Sequence, residues 1–177
     1  HFFTKEEVKQ FIDEMAIYKY NILHFHLTDD EGWRVEIKSF PNLTVKGAYN
    51  VKKVGHFTDF SKPLPNEPRN YGGFYTQEDI KELVKFFNAQ DKMVAAICAG
   101  PRFLGQAGLL NGRSFTAYRG SEVDMPKGIY LPSYKAIRDH NIVTARGAGA
   151  VYEFAFEIVK YLLGEEKAHH LLNSILY

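Results

Sequence analysis

The sequence predicts an α/β protein: a three-layer sandwich with a mostly parallel sheet and helices on both faces. Short apolar runs of strand length alternate with longer runs of helical period along much of the chain. Strands that alternate with helices form parallel sheets, and right-handed crossovers put the helices on both sides. At 177 residues the chain suits one domain.

The elements follow in order. Thr4 and Glu7 form a capping box. Val8, Phe11, Ile12, Met15 and Ala16 then recur at helical spacing, predicting a helix that ends near residues 20–21. Residues 22–28, "ILHFHLT", read as a strand closed by the turn residues Asp29, Asp30, Glu31 and Gly32. "WRVEIKSFP" reads as a short extended segment. From Pro41 to Gly73 the pattern dissolves among Pro, Gly and Asn, which predicts a long surface loop. Thr76 caps the next helix, with Asp79 in its first turn and Ile80, Leu83, Val84 and Phe87 as its buried stripe. Strands are then expected near residues 94–98, 115–117 and 142–145, with a helix from Pro101 between the first two. Residues 121–133 read as irregular. "AVYEFAFEIVKYLLG" is the strongest helix pattern, and "EKAHHLLNSILY" adds a last short helix.

Composition narrows the function classes. The chain is 45% hydrophobic and 24% charged, with a net charge of +1, so nothing points to nucleic acid or an anionic membrane surface. No apolar run approaches the roughly 18–20 residues of a membrane span. "HFFTKEE" does not read as a signal peptide, and a chain opening on His1 reads as a piece rather than a whole gene product. Cys98 is the only cysteine, so no internal disulfide forms and a reducing compartment, the cytoplasm on recombinant expression, is compatible. "NLT" at residues 42–44 matches a glycosylation acceptor and reads as chance.

Ligands in open parallel sheets bind at the carboxyl ends of strands. Asp29, Asp30, Cys98 and Arg146 all lie at such ends, a placement that allows them to converge. In "VAAICAGP" an apolar run stops at Cys98 and a helix opens at Pro101, the way a chain presents a nucleophile. The helix dipole there favours a thiolate. His24 and His26 share a strand face but lack a third ligand, so they read as sheet-face histidines; no metal and no cofactor are expected. "TARGAGAV" lacks the Walker lysine and the dinucleotide spacing, and reads as close strand-to-helix packing.

Two resemblances divide the chain. Residues 1–86 resemble a fragment of a glycoside hydrolase family 20 β-N-acetylhexosaminidase, through "HFFTKEEVKQFIDEMAIYKYN", "HFHLTDDEGWRVEIKSFPNLT", "GAYN" and "GGFYTQEDIKELV". Residues 87–177 resemble the DJ-1/ThiJ/PfpI family, through "KMVAAICAGPRFLGQAGLLNGR" and "NIVTARGAGAVYEFAFEIVKYLLGEEKA". The second resemblance implies a flavodoxin-like sandwich with Cys98 at its nucleophile elbow; the first implies βα elements of a (β/α)8 barrel. Together they imply an engineered or recombined chimera forming a single α/β domain, spliced in or just after the helix of residues 77–90.

Both catalytic sites are expected to be incomplete. The hexosaminidase resemblance leaves Asp29, Asp30 and Trp33 as a vestigial sugar-binding rim, without the Asp-Glu pair of a later strand. The DJ-1 resemblance implies a glutamate and a histidine beside the cysteine; the glutamate's strand is not in this sequence, and Ile129 in "KGIYLPS" falls at the histidine's place. His140, Glu122 and the pair His169 and His170 are not expected to help. The expectation is a chain without designed catalysis, with Cys98 reactive but not turning over. The alternatives are a DJ-1-like cysteine hydrolase, deglycase or redox chaperone, and residual N-acetylhexosamine binding. Uncovered sheet edges and apolar helix faces predict a homodimer or exchange of elements between chains.

Overall fold

The computed structural model describes residues 2–20, 23, 25–29, 32–52 and 64–176, with backbone alone at residues 28 and 29. Two compact units divide the chain, His1–Ile80 and Lys81–Tyr177. The boundary falls inside one helix, Gln77–Ala89.

In the first unit, helix α1 (Lys5–Ile17) starts at the predicted capping box. The Thr4 N–H donates to Glu7 Oε2 at 2.6 Å, and the Glu7 N–H donates to Thr4 Oγ1 at 3.3 Å. The helix stops earlier than its apolar period suggests, because Lys19 takes the left-handed conformation with φ 60°. The Lys19 and Tyr20 N–H groups then return to the carbonyls of Ala16 and Met15, a Schellman closure. Val8, Ile12 and Met15 are buried, but Phe11, assigned to the same stripe, is exposed.

The remainder of this unit is held by short pairings. Strand β1 (Thr28–Asp29) pairs antiparallel with β2 (Gly32–Trp33). Helix α2 (Asn42–Val45) leads to β3 (Tyr49–Asn50), which pairs antiparallel with β4 (Tyr71–Gly72). Val35 bridges Tyr75 in parallel. The Arg34 guanidinium fastens these loops together, donating to the carbonyl of Ala48 and to that of Gly73 at 3.0 Å. The Tyr75 hydroxyl donates to the Phe3 carbonyl. Burial pushes the Tyr75 phenol up to about 12, against the opposing pull of Arg34.

Two expectations are corrected here. Of the predicted strand 22–28 only Thr28 is in strand, and residues 23 and 25–27 are not; residues 21, 22 and 24 lie outside the described residues. That strand pairs antiparallel with its neighbour in sequence, not within a larger parallel sheet. Nor is the stretch from 41 to 73 pattern-free, since it carries α2, β3 and β4.

Helix α3 (Gln77–Ala89) begins as predicted, with Thr76 and Asp79 bonded reciprocally. Burial works to raise the Asp79 pKa; the Thr76 hydroxyl and N–H, together with Lys5 at 3.0 Å, overcome it and hold the carboxyl below its ordinary 3.8.

The second unit is built on β5 (Val94–Ile97), β8 (Ala136–Asp139) and β9 (Ile142–Ala145), in the order β5-β9-β8. The β5–β9 pair is parallel and the β8–β9 pair antiparallel. Strands β6 (Ser114–Phe115) and β7 (Ile129–Tyr130) form a separate parallel pair. The strand expected at residues 115–117 is therefore shorter and starts one residue earlier, and the stretch read as irregular holds β7 and a 3-10 turn, Glu122–Asp124. Helix α4 (Pro101–Gln106) follows β5. Helix α5 (Val151–Leu163) packs on β8 and β9 and against α6 (Glu165–Ser174). Val94, Leu104, Leu110, Phe115, Met125 and Ile142 form the core, with Val84 and Phe87 of α3 packed against it. Gly105 lets helix α4 approach Met125, whose Cγ would lie 2.1 Å from an added Cβ.

Strand β6 joins the larger sheet by an unusual route. The amides of Ser114, Thr116 and Tyr118 point the same way, at the period of two of an extended chain. Their acceptors are Asp139 Oδ2 at 2.7 Å, Thr144 Oγ1 at 3.1 Å and the Cys98 carbonyl at 2.8 Å. Side chains thus replace backbone at two of three positions, so β6 meets the larger sheet without a regular ladder. At the opposite end of the sheet, buried Asn141 donates to Asn88 Oδ1 and to the Lys92 carbonyl, each at 2.9 Å, and accepts from Arg113 at 3.1 Å.

Replacing Asn141 removes its bonds to all three partners, of which Arg113 keeps the Asp139 carbonyl at 3.4 Å. Asn141→Leu is expected to cost about 2–3 kcal/mol in urea unfolding, while Asn111→Ala on an exposed turn stays within about 0.5 kcal/mol. A second expectation concerns acid. Because the folded-state pKa of Asp79 is depressed, its contribution is present above 3.8 and is lost as pH falls through the lower folded value. Asp79→Asn should therefore lower stability at pH 7 and flatten the loss between pH 5 and 3, read from thermal melts across that range.

Candidate functional site

The site grows from the register of β5 on β9. Ile97 lies opposite Ala145, so the two strands end together and their next residues, Cys98 and Arg146, emerge side by side. The Cys98 N–H donates to the Ala145 carbonyl at 2.9 Å, extending the pairing by one bond. The chain must then turn sharply: the Gly100 N–H returns to the Ile97 carbonyl at 3.0 Å, and Pro101 starts α4. Cys98 absorbs this turn with φ 64°, in the left-handed region. An L-residue held there costs roughly 1–2 kcal/mol, and such outliers cluster where a side chain is being presented.

The thiol is half-buried and unpaired with any other cysteine. It opens on a cleft of about 550 Å³. One wall is Cys98, Arg146 and the loop of residues 147–149, where a 3-10 turn (Ala148–Ala150) leads into α5. Residues 117–119, Tyr130 and Pro132 complete the lining. The Tyr118 N–H donates to the Cys98 carbonyl at 2.8 Å. Arginine supplies all the formal charge among the described lining residues.

The structure treats the expected site residues differently. Cys98 and Arg146 converge as strand-end reasoning allows. Asp29 pairs through its backbone with Gly32, its side chain is not described, and Asp30 lies outside the described residues. Trp33 is half-buried and its indole N–H donates to the Val35 carbonyl at 2.6 Å. Ile129, expected beside the thiol, is 52% exposed and does not line the cleft. Tyr118 and Arg119 occupy that flank, because the β6 edge continues past its regular ladder to reach Cys98. The even spacing of Ser114, Thr116 and Tyr118 carried that signal. The helix after Cys98 has six residues, Pro101–Gln106, a single turn and a half. The side chain of His140 is 81% exposed, and that of His169 lies 3.9 Å from Glu165 on α6. No group of three or more His, Cys, Asp or Glu side chains is placed to hold a metal among the described residues. No helix among them is long and apolar enough to cross a membrane.

Comparison with known proteins matches each half separately. Residues 1–98 match the catalytic domain of glycosyl hydrolase family 20, and residues 72–161 match the DJ-1/PfpI family. A β-hexosaminidase of Vibrio furnissii is 48% identical over 86 residues, 49% of this chain and 13% of that protein. Protein dj-1beta of Drosophila melanogaster is 31% identical over 98 residues, 55% of this chain and 52% of that one. The chain thus spans about half of one relative and a small part of the other. The crystal structure of Drosophila DJ-1beta superposes with a TM-score of 0.51 at 30% identity, covering 56% of this chain and 54% of that one. The likeness gives the second half the flavodoxin-like α/β fold of the DJ-1 structures. The chain therefore belongs to two families, glycosyl hydrolase family 20 over residues 1–98 and DJ-1/PfpI over residues 72–161, with helix α3 common to both matches.

Proposed function

We propose that this chain is a recombined protein whose chemistry rests in one accessible thiol, Cys98, which forms stoichiometric adducts with small electrophiles and does not turn over. The observation that carries the reading is the backbone at Cys98: φ 64° in a turn that opens on a cleft. Nucleophilic turnover needs a group to take and return a proton beside the thiol. The described cleft lining offers arginine and tyrosine in that place, and neither a carboxylate nor an imidazole. In this reading α3 brings a helix of barrel origin into the sandwich of the DJ-1/PfpI half.

The test is alkylation set beside turnover. With iodoacetamide the sulfur displaces iodide, a C–S bond replaces the C–I bond, and the thiol proton passes to solvent. One carbamidomethyl group on Cys98 is expected by mass spectrometry, and none on Cys98→Ser. Neither methylglyoxal nor nitrophenyl N-acetylglucosaminide should be consumed beyond one equivalent. Methylglyoxal turnover abolished by Cys98→Ser would establish a cysteine enzyme instead. Glycoside turnover lowered by Asp29→Asn or Asp30→Asn would establish the sugar-binding reading.

The strain at the elbow has its own readout. Cys98→Gly and Cys98→Ala both remove the sulfur, but only glycine relieves the left-handed backbone. The glycine variant is expected to be the more stable of the two by about 0.5–1 kcal/mol in urea unfolding.

We also propose that the chain forms a homodimer. Strand β5 ends the order of its sheet, and α5 leaves Val151, Tyr152 and Leu163 exposed with none of its residues fully buried. Light scattering at about 100 μM, well above a micromolar dissociation constant, is expected to give twice the chain mass; a monomer there refutes the dimer.

A further inference from the structure

The second unit has arginines at 102, 113, 119, 138 and 146. Arg102 pairs with Asp124, Arg113 bonds to Asn141, and Arg138 lies 3.8 Å from Glu157 and over the Tyr161 ring. Arg119 and Arg146 make no hydrogen bond, ion pair or ring contact with any described residue through their side chains, yet both line the Cys98 cleft. No described carboxylate lines it. Arg146 directly follows β9, Arg119 lies in the turn after β6, and both line the one cleft. The backbone that carries them is held, with the Arg146 N–H on the Lys135 carbonyl at 3.0 Å and the Tyr118 N–H, next to Arg119, on the Cys98 carbonyl, and both arginines are exposed to solvent.

We propose that this cleft is a binding site for small oxyanions, molecules carrying a carboxylate or phosphate, with Arg119 and Arg146 as the residues that hold the charged group. The planar guanidinium suits both anions, donating two parallel N–H groups to two of their oxygens. The volume is that of a small-ligand site, and Tyr130 and Pro132 give the carbon portion an apolar wall. An electrophile anchored by its anion at the arginines presents its reactive carbon within the cleft that holds Cys98. The proposal rests on the reading of Cys98 as an accessible thiol only for this last step; the anion site itself does not need the sulfur.

Two probes of nearly equal shape separate these claims. Iodoacetate and iodoacetamide alkylate by the same displacement of iodide and differ in charge. The iodoacetate-to-iodoacetamide rate ratio at Cys98 is expected to exceed that of glutathione by about 10-fold at low salt, the lower end of electrostatic rate enhancement in a charged cleft. The excess should shrink as salt rises and fall to the glutathione value in the double variant Arg119→Gln/Arg146→Gln. A wild-type ratio equal to that of glutathione, or an excess that survives the double substitution, overturns the proposal. Iodoacetamide reacting under that outcome leaves the accessible-thiol reading standing.

The second arm uses Cys98→Ser protein and inorganic phosphate, followed by amide NMR shifts. Saturable shifts at residues 118–119 and 146–149, lost in the triple variant with both arginines replaced, support the site even if neither iodo reagent reacts. Absence of saturable shifts there overturns it.

Discussion

The parallel register of β5 on β9 is the constraint from which the site follows. Four residue pairs, from Val94 opposite Ile142 to Ile97 opposite Ala145, bring two distant stretches of chain to an end at the same level. Had the register slipped by one, the side chains of β5 would exchange faces, and Val94 would leave the core it shares with Leu104 and Phe115. The burial of that one face therefore also decides where Cys98 sits relative to Arg146. Stability and site geometry are set by the same contacts. Asn141, at the amino end of β9, reinforces the register from the other side, since its own carbonyl accepts the Val94 N–H at 2.8 Å.

Local chemistry was legible in the sequence, and chemistry that depends on distant partners was not. The caps at Thr4 and Thr76 involve residues three apart, so their signal is complete within four letters. Strands β5 and β9 are apolar runs bounded by turn residues and buried on the core side, which leaves an unambiguous trace. The run 22–28 has the same look, but β1 takes its partner from the hairpin that follows it, and composition does not say which partner a strand will find. Phe11 shows the same limit in a helix: the period places it on the stripe, and packing leaves it in solvent. At the site, Cys98 and Arg146 were visible because each closes an apolar run. Tyr118 and Arg119 were not, because they close no apolar run and reach the site through a bond from the Tyr118 N–H to the carbonyl of Cys98, far away in sequence. Ile129 was set in their place by likeness of sequence order, and the sheet puts it elsewhere.

The overlap of the two family matches, residues 72–98, covers the whole of α3 and β5. A helix leading into a strand is a unit that barrels and doubly wound sandwiches share, and its requirements are the same in both: a capped start and an apolar stripe. Ile80 is buried in the first unit, and Leu83 is buried in the second. A helix that keeps one apolar stripe through the overlap meets the requirements of both family matches.

The attachment of β6 gives the cleft two unlike walls. Cys98 and Arg146 hang from strands joined by a continuous backbone ladder, and that ladder yields only when the sheet itself opens. Tyr118 and Arg119 follow a stretch held by Asp139 Oδ2, Thr144 Oγ1, the Thr116 hydroxyl on the Tyr134 carbonyl and the Cys98 carbonyl, with Phe115 and Ala117 buried in the core. One side of the opening is thus set by peptide pairing and the other by side-chain bonds and packing, so its shape depends on the core beneath it as much as on the sheet.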